Sequence, residues 1–348
     1  MKIACVTPWG KNVRCGIRSY SEDLVAALAQ LGVESYIVRL PRYGNPSPEI
    51  IRNVAESVPV DKIDLVLVEH EYGLYRNLER HLYDVLHMFG KPVVTTMHAT
   101  GAIAGTDRYI SKISDRIIVH NRHCAQLLRR EGYSRSVIIP HGCSVKQCTP
   151  IAEARAKYGI PQNAKIVGYV GYLSEYKGIE ALIGACSLTR GIFLLVGGGM
   201  QTTEPDSQYL SNLRMIAATK MPGRHDFTGF IPDEELSHIY GSMDVAAYPS
   251  TYVSESGGLL MALGYGKAVI ARRLSPTKEK EAVGALTTFR NVKDLASKLE
   301  TLMGDEEARK RLENGARRYC EENSWKTVAQ KHVALFEEVL KGGGTRQR

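Results

Sequence analysis

Short apolar runs rich in Val and Ile alternate with stretches whose apolar positions fall at helical spacing, from the first residues of the chain onward. Residues 2–8 read as a strand, 19–31 as an amphipathic helix stopped by Gly32, and 35–40 as a second strand. Further strands are predicted at 64–69, 93–98, 116–120 and 136–140, with helical spacing over 77–88. Such a β-α series builds a mostly parallel sheet covered by helices on both faces. After His141 and Gly142 the strand signal stops, and residues 143–164, with Pro150 and Pro161, read as a linker. The series restarts at 165–171 and continues at 192–196, 225–229, 244–249 and 267–271. Residues 325–340 read as a last helix before a polar, Gly-rich tail. The expectation is an α/β chain of two doubly wound domains, 1–150 and 151–324, with a terminal helix and tail at 325–348.

A length of 348 residues agrees with two cores. With 44% hydrophobic and 24% charged residues the composition is that of a globular protein, which excludes fibrous and disordered classes. Lys and Arg total 45 against 37 acidic residues, a surplus of +8 interleaved with Glu rather than gathered in runs. That balance suits an anionic ligand or an anionic membrane surface and is a poor footprint for nucleic acid. The seven cysteines are scattered with no CxxC pair, which predicts reduced thiols in a cytosolic setting and no zinc site. No apolar window approaches the roughly 20 residues of a membrane span, and the apolar start is too short for a signal peptide. A soluble cytoplasmic chain, at most peripheral on a membrane, is expected.

Ligands of open α/β sheets bind at the carboxyl ends of the strands, where Gly-rich turns aim backbone N–H groups at an anion. Four turns qualify, at 10–16, 171–178, 197–199 and 255–258. None is a dinucleotide fingerprint: Gly10 and Gly16 do not form GxGxxG, and the second strand ends in Arg39 rather than an acid. None is a nucleotide-hydrolysis loop either, because Gly266-Lys267 is followed by Ala268. No Asp-x-Asp pair offers metal ligands. One such turn serves tight packing more often than a ligand, but four on the corresponding predicted edges of the two sheets point to a phosphate group. Lys177, between Gly171 and Gly178, is suited to neutralise a diphosphate, with a solvated turn residue as the alternative. Ser256, Gly257 and Gly258 precede a small-residue helix whose first N–H groups need either an anion or a Ser cap. His98 ends one strand. Glu69, His70 and Glu71 end another, with the two glutamates on one face and His70 on the other, an arrangement for sugar hydroxyls rather than a metal or else a solvated loop end.

Together these residues resemble the family 4 retaining glycosyltransferases of the GT-B fold, two Rossmann-like domains facing across a cleft. The likeness covers nearly the whole chain. It is carried by Gly16 to Tyr20, Glu69-His70-Glu71, Thr96-Met97-His98 and Pro140-His141-Gly142 in the first domain. In the second it is carried by Gly171-Tyr172-Leu173, Lys177-Gly178, Gly197-Gly198-Gly199, Tyr248-Pro249-Ser250 and Gly266-Lys267. The resemblance implies transfer of a sugar from a nucleotide-diphosphate sugar to an acceptor hydroxyl, with the anomeric configuration kept and no metal or other cofactor. It implies that Gly16, Gly171, Tyr172, Gly198, Ser256, Gly257, Gly258 and Leu259 face the donor. It further implies that His98 bonds a donor sugar hydroxyl and that Lys177 stabilises the departing diphosphate. The acceptor, a polysaccharide, glycolipid or small molecule that is in some cases lipid-linked, would meet Arg14, Arg18, Tyr20, Arg42, His70 and Glu71.

The chain departs from the family at three positions. Tyr172 stands where an arginine is usual, and the two usual glutamates fall on Val253 and Met261. Glu255 lies close enough in sequence to substitute for the first and is the third catalytic candidate with His98 and Lys177. These losses keep open a nucleotide-sugar-binding protein whose catalysis has decayed or needs a partner, and the carboxylate pair Glu69 and Glu71 keeps open a sugar-nucleotide epimerase.

Overall fold

The computed structural model describes residues 1–10, 13, 15–41, 46–199 and 208–342. The chain divides into two compact units, Met1–Gly142 with Asn323–Arg348, and Cys143–Glu322.

Six strands form the sheet of unit 1: β1 (Lys2–Thr7), β2 (Glu34–Arg39), β3 (Leu65–His70), β4 (Val93–Met97), β5 (Arg116–Val119) and β6 (Ser136–Ile138). They run parallel in the order β2-β1-β3-β4-β5-β6. Every residue of β3 is buried because helices cover both faces, and its side chains alternate between them. Val66 and Val68 enter the layer that holds Ile51 and Leu82. Leu65 and Leu67 enter the opposite layer with Leu24 and Leu28 of the helix Gly16–Gln30 and Leu335 and Phe336 of the terminal helix Trp325–Lys341. Glu69 is two residues beyond Leu67, and its register partner Thr96 is two beyond Val94, so both continue this second layer.

The terminal helix buries Val328, Ala329, His332, Leu335, Phe336 and Val339, a stripe of period 3.6 with one polar member. Ser324 caps it, accepting from the Thr327 amide at 3.3 Å. Its Trp325 ring lies so close to Gly142 that a Cβ there would sit 2.3 Å from ring carbons. Glycine at 142 is therefore a requirement of this packing.

Unit 2 has strands β7 (Lys165–Val170), β8 (Ile192–Gly197), β9 (His225–Gly229), β10 (Val245–Tyr248), β11 (Ala268–Arg272) and β12 (Thr287–Phe289). They are parallel in the order β12-β11-β10-β7-β8-β9. The stretch expected as a linker is folded into this unit. It contains the helix Ile151–Lys157, whose buried Arg155 reaches Asp244 at 2.9 Å and the Ser242 carbonyl at 3.2 Å. An ion pair anchors this segment, so no apolar stripe announced it. The expectation of reduced cysteines also needs correction: Cys143 and Cys320, 177 residues apart in sequence, form a disulfide with a Cα–Cα distance of 4.9 Å. Among the described residues no helix is long and apolar enough to cross a membrane.

Candidate functional site

In unit 2 the turns after β7, β8 and β10 meet at neighbouring strand ends. The Gly171 amide donates to the Gly197 carbonyl at 2.9 Å, the Leu173 amide to Gly199 at 3.0 Å, and the Gly198 amide to Gly229 at 2.7 Å. These N–H groups hold the turns to one another. The glycines are required by close approach: a Cβ on Gly198 would lie 1.9 Å from the Gly171 oxygen, and one on Gly258 would lie 2.8 Å from the Val170 oxygen. The Tyr172 carbonyl accepts from Tyr169 at 2.8 Å. The turn carrying Lys177 is tied to the loop after β10, because the Thr251 amide donates to the Tyr176 carbonyl at 2.7 Å. Gly178, in the left-handed region at φ +68°, would place a Cβ 2.7 Å from the Pro249 oxygen. The Lys177 ammonium lies 4.6 Å from the centre of the Tyr176 ring and forms no ion pair among the described residues.

That same loop leads into the helix Gly257–Gly264. Ser256 caps it through the Leu259 amide at 3.3 Å, so this amide, expected to face a donor, is already paired. The N–H groups of Gly257 and Gly258 have no acceptor within the helix. Gly257 is exposed, and a Cβ there would meet nothing within 4 Å. Lys177 and the Gly257 amide thus belong to two turns packed on one strand edge.

Glu255 departs from its expected role. Its Oε2 pairs with Lys280 Nζ at 2.8 Å and its Oε1 accepts the Ser256 amide at 2.9 Å, with 6% of each partner side chain exposed. Both carboxylate oxygens are used in shaping the turn. Burial works against the charge on Lys280, but Glu255 and Tyr319 outweigh it and hold its pKa above the ordinary lysine value. Lys280, and Arg272, which holds the Pro249 carbonyl at 3.0 Å, were missed in the sequence because both lie beyond the motifs.

In unit 1 the carboxyl ends of β3 and β4 enclose a polar cluster. His98 Nε2 lies 2.8 Å from Glu69 Oε2 and His98 Nδ1 lies 3.1 Å from His120 Nε2, while His120 Nδ1 meets the Ile139 carbonyl at 3.1 Å. Tyr20 sits among these rings, with centroids 4.6 Å from His98, 5.4 Å from His120, 4.8 Å from His141 and 5.2 Å from Trp325. Burial holds the His98 pKa well below its ordinary value, helped by His141, His70 and His332. It pushes Glu69 up to about 8, against the opposing influence of His332 and Thr96. Both ring nitrogens of His98 are engaged internally, so its imidazole has none left for a sugar hydroxyl.

Two expected acceptor contacts are also buried. Tyr20 belongs to the cluster just described. His70 stacks on Tyr75 at 5.2 Å and lies 3.4 Å from Glu79. Its strand-end position suggested access, but the helices over that face close it off. Arg18 is half-buried, bonded to Glu22 at 2.8 Å and the Val13 carbonyl at 3.1 Å. Glu71 caps the short helix Tyr72–Tyr75 through the Gly73 amide at 2.9 Å. Gly16 is exposed at the start of its helix, where Cys15 supplies no side-chain cap. Arg14 and Arg42 lie outside the described residues. Among the described residues no group of three or more His, Cys, Asp or Glu could hold a metal ion.

Comparison with known proteins agrees along the chain. The description "Glycosyltransferase Family 4" matches residues 15–147, and "Glycosyl transferases group 1" matches residues 150–319. A D-inositol 3-phosphate glycosyltransferase of Corynebacterium urealyticum is 28% identical over 60% of this chain and 53% of its own. Its namesake in Mycolicibacterium smegmatis is 24% identical over 93% and 86%. The chain spans about half the length of the first of these. In structure it is similar to Anabaena HepE, crystallised with UDP and glucose, at a TM-score of 0.79 with 16% identity over 97% of this chain and 100% of that one. It is also similar to a glycosyltransferase of Rickettsia africae, at 0.80 with 18% identity over 98% of each chain. At these identities the structures speak for the fold.

Proposed function

The chain belongs to the family 4 glycosyltransferases of the GT-B fold, and we propose that it moves a sugar from a uridine-diphosphate sugar to an acceptor hydroxyl, with retention and without a metal. The observation that carries this reading is the turn pair of unit 2: an ammonium with no ion-pair partner among the described residues and, on the turn packed against it, the exposed Gly257 at a helix start whose first amides have no acceptor within the helix. Uridine is chosen because HepE was crystallised with UDP.

In the reaction the bond from the sugar C1 to the diphosphate oxygen breaks, and a bond from C1 to the acceptor oxygen forms on the same face. The acceptor proton passes to the leaving phosphate. Charge on that phosphate grows in the transition state, where Lys177 and the N–H groups of Gly257 and Gly258 stabilise it. Gly171 and Gly198 act by letting the turns close together, and Glu255 acts by shaping the loop that ends at Gly257. In unit 1 the exposed backbone at Gly16 and the loop opened by His98 are the candidate acceptor contacts. The His98 imidazole supports that loop from within.

One observation favours a second reading, a binding protein without turnover. With Val253 and Met261 at the usual glutamate positions, the nearby carboxylate of Glu255 is committed to Lys280. Incubation with UDP-sugars and a panel of polyol, glycolipid and saccharide acceptors separates the two. The transferase reading expects UDP release matched by a product whose anomeric configuration equals the donor's. UDP-sugar binding with no release across the panel would favour the second reading, and an inverted product would overturn retention.

A further inference from the structure

We infer that Glu69 is a positioning residue that acts as a proton donor: its carboxyl donates to His98 Nε2 and so fixes one direction of hydrogen bonding through His98 and His120 to the Ile139 carbonyl. Its functional consequence rests on the proposed role of the loop opened by His98. The hydrogen-bonded chain itself rests on the geometry of unit 1, with the shifts of Glu69 and His98 in support.

The argument starts at the fixed end. The Ile139 carbonyl only accepts, so His120 Nδ1, 3.1 Å away, carries hydrogen. A neutral imidazole carries one such hydrogen, which makes His120 Nε2 an acceptor. His98 Nδ1, at 3.1 Å, must then donate to it, leaving His98 Nε2 as an acceptor that faces Glu69 Oε2 at 2.8 Å. The proton in that last contact comes from the carboxyl.

A carboxylate beside an imidazolium would hold the same number of protons, but the surroundings oppose it. Among the described residues the groups facing Glu69 are Cys5 of β1, Tyr20 of the helix Gly16–Gln30, Tyr75 and Tyr83 of the helices after β3, Thr96 and His98 at the end of β4, and His332 of the terminal helix. None is a lysine or arginine. His332 Nδ1 meets the Val328 carbonyl at 2.9 Å and therefore carries the hydrogen, so its Nε2 offers Glu69 only a lone pair. Among the described residues neither Glu69 Oε1 nor Thr96 Oγ1 has a hydrogen-bond partner, although the nearby Thr96 hydroxyl acts against the upward shift of Glu69. A buried charge with one oxygen unserved is far costlier than a neutral acid. The upward shift of Glu69 and the downward shift of His98 have the same sense. Loss of the proton would set two lone pairs against each other at 2.8 Å, at the point where β4 passes into its loop.

Histidine-selective 15N NMR of the full chain without ligand tests this. At neutral pH, His98 and His120 should both appear as neutral Nδ1–H tautomers, and His98 should show a transition as the pH passes about 8. Glu69→Gln, whose amide can donate in place of the acid, should keep both tautomers and lose that transition. A doubly protonated His98 at neutral pH, or an Nε2–H tautomer in either protein, would overturn the inference. The wild-type spectrum decides without the variant. A UDP titration of the same sample separates the two levels: the stated tautomers without UDP binding leave the chain standing and remove the donor site, whereas binding with other tautomers does the reverse.

Discussion

Replacing Lys280 by Met would remove one partner of an ion pair whose side chains are each 6% exposed. Glu255 would keep the Ser256 amide at 2.9 Å but lose the ammonium at 2.8 Å, at a carboxylate whose side chain is 6% exposed. Breaking one side of such a pair costs about 3–5 kcal/mol. For a unit of this size, roughly 2–4 °C of Tm accompanies each kcal/mol, which gives a fall of about 6–20 °C. The double substitution Glu255→Leu with Lys280→Met removes both charges together and should return most of that loss, since apolar replacement of a buried pair is often neutral. Scanning calorimetry of the wild type, the single and the double variant reads both effects. The loop shaped by Glu255 leads directly to Gly257, so UDP affinity should fall in the single variant at temperatures where it remains folded. A Lys280→Met protein within about 0.5 kcal/mol of wild type, the range of an ordinary surface change, would refute the reasoning. So would a double variant no more stable than the single.

Three further outcomes are expected. Gly198→Ala, which would place a Cβ 1.9 Å from the Gly171 oxygen at φ +128°, should cost more than about 2 kcal/mol by urea denaturation, and a neutral effect would contradict the close approach of those turns. Reducing the bond between Cys143 and Cys320 should cost about 2–5 kcal/mol; Cys143→Ser should show that loss without reductant and no more with it, and a further loss on reduction would place the effect elsewhere. The pH dependence has two opposed parts. Glu69, raised from 4.5 to about 8, contributes stability that is complete below about pH 4.5 and is lost as the pH rises through about 8. His98 and His332, held below 6.5, contribute stability present above that value and lost as the pH falls. Urea midpoints of Glu69→Gln should therefore decline less than those of wild type between neutral pH and about 8, and equal slopes would contradict the assignment.

The alternation of strands and helices was legible because fully covered parallel strands leave continuous apolar runs such as β3 and β7. The segment 143–164 was misread because its helix is fastened by Arg155 to Asp244, a pair 89 residues apart that leaves no periodic trace. The glycine turns were legible as a group. Their individual duties were not, since Gly198 and Gly258 answer to carbonyls of other turns while Gly16 and Gly257 open outward. Glu69, His70 and His98 stood out as polar residues at strand ends, a signal shared by binding residues and buried networks alike. What separates them here is the cover supplied by Tyr20 and His332, the latter from a helix more than two hundred residues further along the chain. The commitment of Glu255 was hidden for a similar reason, because Lys280 follows it by 25 positions on a separate element.

The central claim is that unit 2 holds a nucleoside diphosphate at the turn pair of Lys177 and Gly257, and calorimetric titration of UDP into wild type and Lys177→Met tests it most directly. One site per chain is predicted, weakened about 10–100-fold in the variant, the equivalent of a charge-assisted hydrogen bond of about 1.5–3 kcal/mol. Absence of UDP binding to folded wild-type protein, or equal affinity in both proteins, would contradict the account.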